Sequence, residues 1–181
     1  GAVAGRRTEG PNAGARVWSG LALHRPVGPR MGGARAARND VLADSNKPRL
    51  YMGAGMIYAA ADEPIGEDGP LDLSDPVSVS VARIEGIALG GAARGVRNMG
   101  IRSSLVYGRG GGMFMRGPIE GARAAGVARY VGTGQMKMST VHLDDLVDLL
   151  VRALRDGSAG AIYNAAGGSP VTTLELAGAT A

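Results

Sequence analysis

From Lys47 onward the apolar residues change their spacing several times, and that alternation limits what the chain can fold into. Arg49–Tyr58 (RLYMGAGMIY) is an apolar run broken by small residues, which reads as a buried strand running into a loop. Residues 59–74 are acidic and contain Pro and Gly, so they read as a surface loop. Asp75-Pro76 marks a helix start, because Asp accepts from free amides and Pro suits the first turn. Val81, Ile84, Ala88 and Leu89 then recur at helical spacing, up to about Arg94, with Gly95 and Gly100 closing the element. Ile101–Tyr107 (IRSSLVY) predicts a strand and Gly108–Gly112 a glycine-rich loop. A helix is expected over Pro118–Ala125, and short strands over Arg129–Val131 and residues 138–142. Leu146, Leu149, Leu150, Ala153 and Leu154 give the next helix its apolar face, and Asp156-Gly157 stops it. Ala161–Ala166 (AIYNAA) predicts a strand, and Thr172-x-x-Glu175 is a capping box for a last helix. Strands alternating with helices point to an α/β layer on a mainly parallel sheet.

The first 46 residues read differently. They lack a sustained period of 2 or 3.6 and are rich in Gly, Pro and Arg, so an irregular or disordered segment is expected. Residues 1–47 carry eight Lys/Arg against three Asp/Glu, while residues 48–181 carry twelve against thirteen. The chain's net charge of +4 therefore belongs to this segment. A basic arm can neutralise phosphates. Trp18 stands alone within it, however, and aromatic–basic interleaving is missing, so nucleic acid is not an expected partner. With no Cys, and only His24 and His142 as histidines, disulfides and a Cys or His metal site are not expected. The sequence shows no apolar run of bilayer length and no signal-peptide pattern, so a cytoplasmic, membrane-free setting is the expectation.

The order of elements, with their particular residues, resembles the later half of the extended or atypical short-chain dehydrogenase/reductase family, the NAD-dependent epimerases and dehydratases. Tyr51-Met52-Gly53-Ala54-Gly55 stands where the family has a Ser-containing strand end, followed by Met56-Ile57-Tyr58 and the acidic loop. Glu85 is family-typical on its helix, with Arg83 before it as in the atypical branches. Gly100-Ile101-Arg102 through Val106-Tyr107-Gly108 matches a further signature, as does Val141-His142-Leu143-Asp144-Asp145-Leu146. The match covers about 130 residues and includes the Tyr-Asn-Ala-Ala-Gly strand end (residues 163–167) and the last helix.

The resemblance implies a partial Rossmann-like parallel sheet with helices. Residues 47–181 would be an incomplete NAD(P)-binding domain, the second half plus part of the substrate region, preceded by the irregular basic segment 1–46. It implies NAD or NADP as cofactor, with Met52, Gly53, Ser103 and Val106 beside it. It also implies a small-molecule substrate met by Tyr107, Arg109 and His142, and it allows a homo-oligomer. The glycine-rich dinucleotide turn is not found; Gly1–Gly5 (GAVAG) has neither the strand before it nor the apolar helix after it.

No catalytic residue is assigned. The family's Tyr and Lys positions fall on Val77 and Val81, and its Ser position on Gly53. There is no Tyr between Tyr58 and Tyr107 and no Lys between Lys47 and Lys137, so another register does not restore the pair. The nucleotide-sugar members carry an Arg where Met138 stands, and Lys137 would point to the other face of the strand. A small carbonyl or alcohol is therefore favoured over a nucleotide-diphosphate sugar. Hydride-transfer or epimerase chemistry by an incomplete, impaired chain is the expectation. A non-catalytic dinucleotide-sensing or protein-binding relative, or an inactive fragment, is the alternative.

Overall fold

The computed structural model describes residues 47–109 and 112–180, so the basic N-terminal segment lies outside the described residues. The chain divides into two compact units, split after Ser104, after Leu143 and after Ala165.

The first unit is a parallel three-stranded sheet. β1 (Arg49–Ala54) and β5 (Ile162–Ala165) flank β2 (Asn98–Ser103). β1 and β2 run in register from Arg49↔Asn98 to Ala54↔Ser103, and β2 and β5 from Gly100↔Ile162 to Ser103↔Ala165. The strands therefore end level at their carboxyl ends. β2 is covered on both faces, as a central parallel strand must be. Its alternate residues separate cleanly. Asn98, Gly100 and Arg102 face α1 (Pro76–Leu89): the Asn98 amide donates to the Ala88 carbonyl at 2.7 Å, and Arg102 pairs with Glu85. Met99 and Ile101 are fully buried on the opposite face, where a Cβ on Gly157 would come 3.2 Å from Met99 Cγ.

Local chemistry sets the helices. Asp75 caps α1, its Oδ2 accepting from the Ser78 amide at 2.8 Å, and Pro76 fills the first turn. Ile84 and Ala88 pack on Tyr51 of β1. α3 (Leu143–Asp156) buries Leu146 and Ala153, two turns apart. Arg97 donates to the carbonyls of Leu154 and Arg155 at 2.8 and 3.1 Å, placing a cation on the helix's negative end.

The second unit holds β3 (Leu105–Tyr107), β4 (Lys137–His142) and β6 (Gly167–Thr172). β3 and β4 are parallel, whereas β6 is antiparallel to β4, with an irregularity between Met138 and Thr140. α2 (Met113–Ala125) and α4 (Thr173–Thr180) contribute Ala122 and Ala177 to a cluster with Ala128 and Tyr130. The capping box of α4 forms: Glu175 Oε2 accepts from the Thr172 amide at 2.8 Å, and Thr172 Oγ1 from the Glu175 amide at 3.1 Å. The Thr172 amide, and after it the Thr172 hydroxyl at 2.9 Å, donate to the Glu175 carboxyl and hold it below its usual range.

The fold is α/β with a parallel Rossmann-like sheet, as expected, with five revisions. The strand expected over Ile101–Tyr107 is two strands, ending at Ser103 and restarting at Leu105 in a different sheet. α2 begins at Met113 rather than Pro118, and no strand forms over Arg129–Val131. β6 is an added antiparallel strand whose residues GGSPVT carry no strand signal of their own; its pairing with β4 creates it. On α3, Leu149 and Leu150 are half-buried, while Leu154, Val147 and Val151 are exposed.

Candidate functional site

In open parallel sheets, ligands bind outside the carboxyl ends of the strands. In the first unit those ends are Gly53-Ala54, Ser103 and Ala165. Ser103 Oγ reaches the Gly53 carbonyl at 3.4 Å and ties β2 to β1 there. Gly53 lies on the α1 face: a Cβ on it would stand 3.4 Å from Glu85 Oε2 and 3.2 Å from Tyr51 Cε1. Met52, one residue earlier, faces the other way and is 44% exposed. Small residues continue past the strand, and a Cβ on Gly55 would sit 3.4 Å from the Ser103 carbonyl oxygen. On the α1 side of this strand end the space over Gly53 is therefore filled by the Tyr51 ring and the Glu85 carboxylate, and Gly55 packs against the Ser103 backbone.

Directly behind lies a buried polar network. The Arg102 guanidinium grips Glu85 with two bonds, Nη2 to Oε1 at 2.6 Å and Nε to Oε2 at 3.1 Å, with both side chains 5% exposed. Burial works against the charge on Arg102; the bonds to Glu85 and Tyr58 outweigh it and hold the group above even the ordinary arginine range. Nη1 donates to the Tyr58 hydroxyl at 2.6 Å and to the Glu67 carbonyl at 3.0 Å. The Tyr58 hydroxyl in turn donates to Asn164 Oδ1 at 2.8 Å. Arg102 and Asn164 are register partners on β2 and β5, so one face of the sheet carries both. Glu85 and Arg102 belong to the motifs read from sequence, but Tyr58, Glu67 and Asn164 were not expected in a cluster. One signal was available: a Glu and an Arg, each at a core position of its element, predict each other as partners.

The acid–base positions are apolar in three dimensions too. Val77 lies in the first turn of α1 and is 39% exposed; Val81 stands one turn on and is half-buried. The neighbouring serines are committed elsewhere. Ser78 Oγ bonds to Asp75 Oδ2 at 2.9 Å and Ser80 Oγ donates to the Pro76 carbonyl at 2.8 Å. The carboxylate beside Ser78 is already engaged as the helix cap through the same oxygen, which also accepts from the Ser78 amide.

In the second unit, the carboxyl ends of β3 and β4 bring Tyr107 and His142 together as register partners, with ring centroids 5.2 Å apart at 74°. Tyr107 is 45% exposed. Gly108 follows at φ +105°, and a Cβ there would meet His142 Nε2 at 2.5 Å. Arg109 is exposed and holds φ 34°, the only positive-φ residue other than Gly among the described ones. Backbone strain of this kind tends to persist where function needs it. Val106 lies within β3, half-buried. The structure thus gathers Tyr107, Arg109 and His142 at one strand end, and Met52, Gly53 and Ser103 at another. Gly108→Ala is expected to cost about 1–3 kcal/mol, because it combines a disfavoured φ with a clash on the imidazole. A denaturant titration gives the loss, and the His142 imidazole resonance, assigned through His142→Gln, should shift.

The model of the NAD dependent epimerase/dehydratase family matches residues 39–166. The chain belongs to that family. Among its relatives, the uncharacterised protein C2A9.02 of Schizosaccharomyces pombe is 35% identical over 87 residues, 45% of this chain and 30% of that protein. The uncharacterised protein YLL056C of Saccharomyces cerevisiae is 28% identical over 145 residues, 80% of this chain and 48% of that protein. Among solved structures, MoeE5 in complex with UDP-glucose and NAD superimposes with a TM-score of 0.68 at 25% identity, over 81% of this chain and 52% of MoeE5. The epimerase/dehydratase chain therefore spans about half the length, or less, of these relatives. Among its described residues no helix is long and apolar enough to cross a membrane.

Proposed function

We propose that the protein serves NAD(P)-dependent oxidoreductase or epimerase chemistry on a small carbonyl, alcohol or sugar substrate in the cytoplasm. The observation that carries this reading is the level, parallel β1–β2–β5 sheet, with small residues at its carboxyl ends, in a chain of this family. Those ends fit a nicotinamide dinucleotide: Gly53 and Ser103 offer backbone and a hydroxyl, and Met52 an apolar contact. The dinucleotide supplies hydride when bound. Tyr107, Arg109 and His142 orient the substrate, Arg109 through its charge and Tyr107 through its exposed ring.

What α1 does not supply is the family's proton-transfer pair. A carbonyl gaining hydride needs a donor for its oxygen, and Val77 and Val81 cannot donate. This specific observation supports a second reading, a relative that binds dinucleotide without turning substrate over. Calorimetric titration of the purified chain with NADH and NADPH tests both. Saturable binding below millimolar concentration is expected, and no binding at millimolar concentration sinks the proposal. Measurable turnover of any carbonyl would exclude the second reading.

A further inference from the structure

Residues 59–70 leave the sheet and return to the same point. Tyr58 and Leu71 form an antiparallel bridge, the Ala59 amide donates to the Pro70 carbonyl at 2.9 Å, and the Asp72 amide to the Ile57 carbonyl at 2.8 Å. The stem is therefore closed by backbone bonds, as in an Ω-loop. The tip is braced internally: the Gly69 amide donates to the Gly66 carbonyl at 3.0 Å, and any Cβ on Gly69 would overlap Ile65 Cγ2.

Among the described residues, Arg102 and Asn164 fasten the tip to the rest of the unit through polar bonds. Arg102 Nη1 holds the Glu67 carbonyl. Asn164 donates its amide N–H to Glu67 Oε1 at 2.8 Å and its side-chain NH2 to the Ile65 carbonyl at 3.4 Å. Residues 60–64 and 66–68 are exposed, so little apolar burial opposes release. The tip meets β5 at its open edge, where Glu67 takes the place of a neighbouring strand as acceptor for the Asn164 amide.

We propose that residues 59–70 form a strap, hinged at the Tyr58–Leu71 bridge, that swings off the carboxyl ends of β2 and β5 as one piece, with Glu67 and Asn164 as its catch. On the reading that ligands enter at those strand ends, it is the part that must move. The bond from the Asn164 amide keeps the Glu67 carboxyl below its usual range, in accord with a catch closed through the carboxylate form.

Hydrogen exchange on the full chain, read by mass spectrometry, tests the strap. Glu67→Ala removes a charged acceptor at an exposed position, where folding is not at risk. The amides of residues 60–69 should then exchange about tenfold faster or more, the loss expected of one charge-assisted bond, with β2 and α1 unchanged. Asn164→Ala, which keeps the backbone amide but loses the bonds to the Ile65 carbonyl and from the Tyr58 hydroxyl, should raise the same peptides together with the hinge at Tyr58, and leave α1 unchanged. Unchanged exchange in the strap, or an equal rise across the whole unit, overturns the proposal. The measurement needs no ligand, so failure of dinucleotide binding and failure of the strap are read separately.

Discussion

A Val77→Tyr, Val81→Lys double variant is expected to reduce a small carbonyl with NAD(P)H about 10²–10⁴-fold faster than the unaltered chain, the range a positioned general acid contributes. The two sites are one turn apart on α1, so their side chains stand on one face. Val77 is 39% exposed, which leaves room for a phenol. An isolated phenol titrates near 10, and an ammonium four residues on favours its ionised form. The tyrosine alone should therefore give less than the pair, and the lysine alone nothing. Stopped-time assays of cofactor oxidation at saturating carbonyl provide the rates. An unaltered rate in a double variant that still binds dinucleotide would show that the apolar positions are not what limits the protein.

Those two valines were legible because the helix carrying them was legible: Asp75-Pro76 starts it and Ile84 and Ala88 give it a period. The helix with Leu146 and Ala153 on its buried face and the strand pair at Met52 and Arg102 followed for the same reason, since each has its own apolar period or run. The elements that escaped are those fixed by partners. β6 contains Gly167, Gly168 and Pro170 and becomes a strand only against β4; an edge place tolerates the proline. The break at Ser104 has no Gly or Pro to mark it within Ile101–Tyr107, and only the pairing of the two halves with different strands reveals it. α2 carries Pro118 as its sixth residue, although a proline reads most naturally as a first-turn residue. The polar cluster was half visible. Glu85 sits between Ile84 and Ala88 on a buried face, which asks for a cation. Tyr58 and Asn164 are 106 residues apart, and only the parallel register of β2 and β5 brings the second beside Arg102.

Arg102→Met should destabilise the chain by about 3–5 kcal/mol, the usual cost of removing one partner from a buried ion pair. The loss is large because Glu85 would be left as a buried carboxylate without its counter-charge, and because the Tyr58 hydroxyl and the Glu67 carbonyl each lose a donor. Against a total of roughly 5–15 kcal/mol for a native domain, that is a substantial share. Urea unfolding followed by circular dichroism measures it, and a loss below about 1 kcal/mol would mean the pair is hydrated rather than buried. Replacing both partners, Arg102→Met with Glu85→Leu, should recover part of the stability, since desolvation of the two charges offsets much of their attraction. The contrast with Glu67→Ala separates two roles of the same network. Removing Arg102 withdraws a bond from the strap and the counter-charge from the core, so exchange should rise in the strap, β2 and α1 alike. Removing the Glu67 carboxylate leaves the Arg102–Glu85 pair intact, so only the strap should respond.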